Sequence, residues 1–225
     1  MIHPRELNFA QGSDAWLESR LGCLTGSIVG EIMPGSRGSV PATRKKLLYK
    51  KACEYLFGID KSRPIPRMYA DWGHDHEAEA CEAVENYLHY ISDEITDDVQ
   101  FREVGLIKSD FDDLVASSLD RLSECGKYAL EVKCPYDPAN HLQHIIERPA
   151  VVMSSSYKNY YWQPRHHMLC TGAVACIWAT YSPEAKTKPL HVEIIESDED
   201  EMKLLRENCL SFVNDMKAIV KEVLK

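Results

Sequence analysis

The apolar positions of this chain change period along its length. From Val99 onward, short apolar runs of strand length stand at Val99 to Ile107, Leu114 to Ser118, Tyr128 to Lys133, Ala173 to Tyr181 and Leu190 to Glu196. The run from Ala173 is apolar almost throughout, which predicts a central strand covered on both faces. Elsewhere the apolar residues recur at three and four. Ser13 to Arg20 predicts a short helix with Ser13 as N-cap and Trp16, Leu17 and Leu21 as its apolar side. Thr43 to Phe57 predicts a helix with apolar positions at 47, 48, 52, 55 and 56, and Met68 to Ile91 a longer one. Asp137-Pro138 caps a helix to about Glu147, and Tyr157 to Met168 is a further helix that Pro164 should kink or break near Gln163. The closing helix starts from Asp198, with Glu201 at its third position, and carries Met202, Leu205, Cys209, Phe212, Met216, Ile219 and Val223 at helical spacing. The expected class is α/β (α+β): a central mixed β-sheet flanked by helices, in one domain spanning residues 1–225.

Within this frame, one stretch concentrates chemistry. Tyr128 to Lys133 alternates with period two, so Tyr128, Leu130 and Val132 point to one face of a strand and Glu131 and Lys133 to the other. Asp120 closes the preceding apolar run, at what reads as a strand end. A hairpin turning near Ser123 to Gly126 would bring it beside Glu131. Two carboxylates and the Val132 carbonyl form a hard oxygen donor set suited to magnesium. Lys133 would then stand where it can orient a water or meet charge developing on a phosphoryl oxygen. On spacing alone, a solvated hairpin with an ordinary Glu/Lys pair is the commoner arrangement.

Glu77 adds to the picture. On the long helix it shares a stripe with Gly73, Cys81, Val84 and Leu88, so its carboxylate faces inward and needs a partner. Glu79, Glu82 and Glu85 read as solvated, and His74 and His76 as polar surface.

Composition bounds the rest. The 225 residues carry a net charge of −9, which taken alone argues against a nucleic-acid partner. The charge is segregated, however. Nine basic residues lie between Arg37 and Arg67 against Glu54 and Asp60, and ten acids with no Lys or Arg lie between Asp71 and Asp98. Such a stripe, including Arg44, Lys45, Lys50 and Arg63, can hold a polyanion on one surface of an otherwise repulsive molecule. No run approaches the ~20 apolar residues of a membrane span, and Met1 to Glu6 lacks an apolar signal core. The expectation is a soluble cytoplasmic protein with no membrane partner. Its eight cysteines form no Cys-x-x-Cys pair and read as reduced thiols. Thr25-Gly26-Ser27 opens a second short helix, and with Arg20 it has the makings of a phosphate pocket, although hydroxyls at a helix start are also plain caps.

Taken together, the motifs resemble lambda exonuclease and the related phage-type alkaline exonucleases, YqaJ-like viral recombinases of the PD-(D/E)XK nuclease superfamily. The resemblance runs from about Trp16 to Val220. Its anchors are Trp16 with Arg20-Leu21-Gly22 and Thr25-Gly26-Ser27, Trp72-Gly73 with Glu77, Ser118-Leu119-Asp120, Leu130-Glu131-Val132-Lys133-Cys134-Pro135, and Gln163. It departs at Leu119, where the superfamily has proline, and at Pro164 directly after Gln163. No strand-separating wedge residue is assigned.

The resemblance implies a restriction-endonuclease-like core. It implies that Asp120, Glu131 and the Val132 carbonyl bind Mg2+, with Mn2+ as a substitute, and that Glu77 completes the metal site. Lys133 would position the attacking water beside Gln163, and Arg20, Thr25, Ser27 and Ser118 would hold a terminal 5′ phosphate. The activity implied is 5′-to-3′ degradation of one strand of linear double-stranded DNA to mononucleotides, leaving a 3′ tail for strand annealing. A ring-shaped homotrimer and a single-strand annealing partner are implied with it. Two alternatives stay open: an endonuclease of the same superfamily, and a non-catalytic DNA-end-binding recombination protein.

Overall fold

The computed structural model describes residues 3–35, 38–60, 66–91 and 99–225. The N-terminal part holds β1 (Glu6–Leu7), α1 (Asp14–Ser19), α2 (Gly26–Val29), α3 (Ala42–Phe57) and α4 (Arg67–Ile91). The strands β2 (Phe101–Glu103), β3 (Leu106–Lys108), β4 (Ala116–Ser117), β5 (Arg121–Ser123) and β6 (Tyr128–Lys133) follow. Helices α5 (Pro138–Glu147) and α6 (Lys158–Thr171), strands β7 (Ala175–Tyr181) and β8 (Leu190–Glu196), and helix α7 (Glu199–Val223) complete the order.

Among the described residues two sheets form, one with strand order β1-β3-β4 and one with order β2-β5-β6-β7-β8. In the larger sheet only β6 and β7 run parallel; the crossover between them is α5 and α6. Every residue of β7 is buried, as its apolar sequence predicts, and β7 lies between β6 and β8. The alternation of β6 is also realised. Leu130 and Val132 pack with Ala80, Cys81, Val84 and Leu88 of α4, while Ala129 on the other face packs with Met168 of α6 and Trp178 of β7. A third cluster joins α3, α6 and α7 through Leu47, Leu48, Trp162, Leu205 and Phe212. The helix caps at Ser13, Asp137 and Asp198 each accept a backbone N–H as expected.

Several expectations are corrected. Val99 to Ile107 is not one strand. It divides at Gly105 into β2 and β3, which lie in different sheets. A Cβ at Gly105 would sit 2.1 Å from the Leu7 carbonyl oxygen, so the N-terminal segment crosses the backbone there and only glycine fits. Leu114 to Ser118 forms only the two-residue β4, and Asp120 stands at the start of β5 rather than at a strand end. Helix α6 runs through Pro164 to Thr171 without ending, its segment from Trp162 to Met168 wholly buried. Leu17 and Val223 are 52% and 59% exposed, so both apolar stripes are shorter than their spacing suggests.

All eight cysteines are free. Among the described residues no helix is long and apolar enough to cross a membrane. Arg37, Lys61 and Arg63 of the basic stretch, and Asp93, Glu94, Asp97 and Asp98 of the acidic one, lie outside the described residues.

Candidate active site

The β5–β6 hairpin builds the centre. Its register pairs Arg121 with Leu130, which sets Asp120 level with Glu131. The Val132 amide donates to Asp120 Oδ2 at 2.7 Å and fixes the carboxylate against the strand. On the opposite face from Leu130 and Val132, Lys133 Nζ donates to Glu131 Oε1. Gln163 of α6 donates to the same oxygen at 2.5 Å, so Pro164 does not turn the glutamine away from the site.

The electrostatics are lopsided. Glu131 is buried, which would raise its pKa, but Lys133 and His167 outweigh the burial and hold it down to about 2. Lys133 is raised in turn, Glu131 and Asp120 overcoming its own desolvation. Asp120 is pushed well above the usual carboxylate range by burial and by the charges of Glu131 and Glu77. One lysine therefore does not neutralise the acids gathered here.

Glu77 lies on the inward stripe of α4, half-buried, and burial raises its pKa. Its carboxylate faces Arg121 Nη1 at 3.6 Å. Among the described residues no three His, Cys, Asp or Glu side chains converge as a ready metal cluster. Asp120 and Glu131 are the acids that the hairpin itself brings together. They suit a divalent cation because the register sets two hard oxygen donors side by side, and because a cation there would relieve the repulsion from Glu131 and Glu77 that helps to raise the pKa of Asp120.

His167, not among the residues expected at the site, joins it. Its Nε2 lies 3.0 Å from Glu131 Oε2, and its Nδ1 lies 2.7 Å from Ser117 Oγ. The signal was present, since His167 follows Gln163 by four and so shares its helical face. The first turn of α2 packs on that face. A Cβ at Gly26 would meet His167 Cε1 at 3.0 Å and Gln163 Cγ at 3.3 Å, which accounts for glycine between Thr25 and Ser27.

The residues expected to hold a phosphate are partly assembled. The Arg20 guanidinium stacks over Trp16 at 4.1 Å, and burial lowers its pKa against the opposing charges of Cys23, Glu131 and Glu54. Thr25 is buried at the α2 N-cap with no side-chain cap bond, and Ser27 is exposed. Ser118 Oγ is shielded from water and has no hydrogen-bond partner. The turn carrying Arg20 is clamped from α3: Glu54 Oε2 accepts from the Gly22 amide at 3.1 Å and from Lys51 Nζ at 2.7 Å.

The basic residues of α3 are largely engaged within the molecule. Arg44 bonds Asp215 at 2.8 Å and Ser211 at 3.2 Å on α7, and Lys50 lies 3.8 Å from Glu54 and 3.9 Å from Asp60. Lys45 is exposed, and Arg63 lies outside the described residues.

The fold is found in solved structures. The alkaline exonuclease LHK-Exo of Laribacter hongkongensis matches with a TM-score of 0.73 at 21% identity, covering 94% of this chain and 96% of that one. The structure of LHK-Exo in complex with dAMP matches equally, with a TM-score of 0.73. A phage-related exonuclease from Haemophilus somnus 129PT matches with a TM-score of 0.65 at 14% identity, covering 89% of this chain and 96% of that one. No curated protein matches the sequence significantly. The sequence itself matches the YqaJ-like viral recombinase domain over residues 15–174, a span holding both the hairpin and the helix that bears Gln163 and His167, and the chain belongs to that family.

Proposed function

We propose that the protein is a divalent-metal-dependent exonuclease that degrades one strand of linear double-stranded DNA in the 5′-to-3′ direction and leaves a 3′ tail for strand annealing. The observation that carries this reading is the hairpin site, where Asp120 at the start of β5 is bonded to β6 beside Glu131 and Lys133, with Gln163 bonded to Glu131. Membership of the YqaJ-like family and the fold shared with LHK-Exo support it.

Asp120, Glu131 and the Val132 carbonyl would hold Mg2+, or Mn2+ in its place, with Glu77 close by on α4. When bound, such an ion supplies a Lewis acid for the phosphate and lowers the pKa of water. The protein's own groups do the rest. Lys133 carries a fixed positive charge within reach of the scissile phosphate, where it orients the attacking water and offsets charge on the departing oxygen. Gln163 holds Glu131 in one rotamer from the α6 side. Arg20, Thr25, Ser27 and Ser118 receive the terminal 5′ phosphate, with the unpartnered Ser118 hydroxyl as a ready donor. Lys45 and Arg63 would contact phosphates further along the duplex, whereas Arg44 and Lys50, expected beside them, are already held by Asp215, Glu54 and Asp60. A homotrimeric ring, a single-strand annealing partner and a cytoplasmic location belong to the same proposal.

The test offers matched linear duplexes with a 5′ phosphate or a 5′ hydroxyl, and a closed circle, with and without Mg2+. Rapid metal-dependent release of mononucleotides from the phosphorylated linear duplex is the expected result. Cutting of the circle would replace the proposal with an endonuclease, and binding without loss of DNA would replace it with an end-binding protein.

A further inference from the structure

Beside the hairpin site lies a cleft of about 740 Å³ lined in part by Cys134 and Pro135, the two residues that follow Lys133. Its walls are aromatic. Tyr69 and Trp72 come from the start of α4, Tyr136 from the loop after β6, and Tyr160 from α6 three residues before Gln163. Tyr136 meets Tyr69 edge-on with centroids 5.2 Å apart, and meets Trp72 the same way at 5.5 Å. Edge-to-face contacts brace the rings without stacking them on one another, so ring faces remain for an outside partner. They are open to solvent: Tyr69 is 47% and Tyr136 42% exposed.

The charge of the cleft narrows what can enter. Among the described residues, its charged lining is Asp137 and Glu184, with no lysine or arginine. Phosphates would be repelled here. Nucleobases are uncharged, stack on aromatic faces, and in adenine, cytosine and guanine present amino groups that a carboxylate can accept. Tyr160 of the cleft also interacts electrostatically with Lys133, so the cleft lies beside the lysine side chain and not only beside its backbone.

We propose that the cleft is a nucleobase subsite, in which an unpaired base of the strand being cut stacks between Tyr136 and its aromatic neighbours. This rests on the reading of the protein as a nuclease. Stacking there offsets the cost of unpairing the duplex end, a few kcal/mol per base.

The experiment uses the full chain in EDTA, and again in calcium, with two fluorescent 5′-phosphorylated duplexes. In both, the three 5′-terminal nucleotides face no complementary base and stay unpaired, and the duplexes are identical except that these three nucleotides are abasic in one. The base-bearing duplex should bind about tenfold more tightly, the scale of base–aromatic stacking. Tyr136→Ala should bring the ratio towards one, Tyr136→Phe should keep it, and Tyr90→Ala, at a 91% exposed position outside the cleft, should leave it unchanged. Equal binding of the two duplexes, binding of neither, or an undiminished ratio in Tyr136→Ala overturns the subsite. Parallel hydrolysis in Mg2+ separates the two readings. Hydrolysis without base preference removes the subsite alone, whereas base preference without hydrolysis removes the nuclease and keeps a base-binding surface.

Discussion

The Val132 amide donates to Asp120 Oδ2 at 2.7 Å, so the strand that carries Glu131 and Lys133 also fixes the acid opposite them. The hydrogen bond needs only an acceptor, whereas the negative charge of Asp120 is opposed by burial and by two neighbouring acids. The two roles can be separated by substitution. Asp120→Asn retains an acceptor and removes the charge. It should melt at or above the wild-type temperature in EDTA while losing at least about a hundredfold in turnover. Asp120→Ala strands the Val132 N–H and should lose about 1–3 kcal/mol of stability besides. Thermal melts in EDTA beside nuclease rates would check both, and an Asn variant that melts well below wild type would refute the account.

Lying 3.0 Å from the Glu131 oxygen that Gln163 and Lys133 leave open, with Ser117 behind it, His167 buttresses that carboxylate. Neighbours that orient a metal-binding carboxylate typically matter by about 10–100-fold in metal affinity or activity. His167→Ala should therefore raise the metal concentration for half-maximal activity by that factor. The measurement is a Mg2+ titration of nuclease rate, and an unchanged midpoint would remove His167 from the site.

What the sequence made legible was set by local period. The alternation of β6 and the short turn before Gly126 are enough to bring Asp120 to Glu131, and the spacing of Glu77, Cys81, Val84 and Leu88 is enough to turn Glu77 inward. His167 escaped because α6 is buried continuously from Trp162 to Met168, so periodicity singles out no face of it. The break at Gly105 is imposed by the Leu7 backbone, almost a hundred residues away in the chain, and no local pattern reports it. Nor does the sequence of α3 reveal that Arg44 is spent on Asp215, 171 residues further on.

That last pairing divides the basic helix into two kinds of residue. Lys45 is exposed, so Lys45→Ala should weaken DNA binding at low salt and reduce the slope of log K against log[salt] by about one, without altering stability. Arg44→Ala should instead act on the fold. It breaks a contact with Asp215 and Ser211 and uncovers Phe212, whose ring centroid lies 5.5 Å from the guanidinium. Salt-dependent binding and chemical denaturation on both variants would check the division. A salt-slope change confined to Arg44→Ala would reverse it.

Acid should unfold the protein through its buried histidines before the carboxylates titrate. His166 is 0% exposed, and burial, with His167 adding to it, pulls its pKa from 6.5 down to about 3. His144 is pulled down to about 4 by burial and by the charges of Lys133 and His141, against the opposing pull of Glu147. Each ring is neutral in the folded protein and takes a proton more readily once unfolded. Stability from these groups is complete above about pH 6.5, and falls as pH drops towards their folded values. Each contributes a slope of up to about 1.4 kcal/mol per pH unit in that window. His166→Gln cannot be protonated there, so its denaturation free energy should decline less steeply between pH 6 and pH 4 than that of wild type, by about one proton's worth. Urea denaturation across that range would settle the matter, and parallel curves for the two proteins would show that His166 is not what acid attacks.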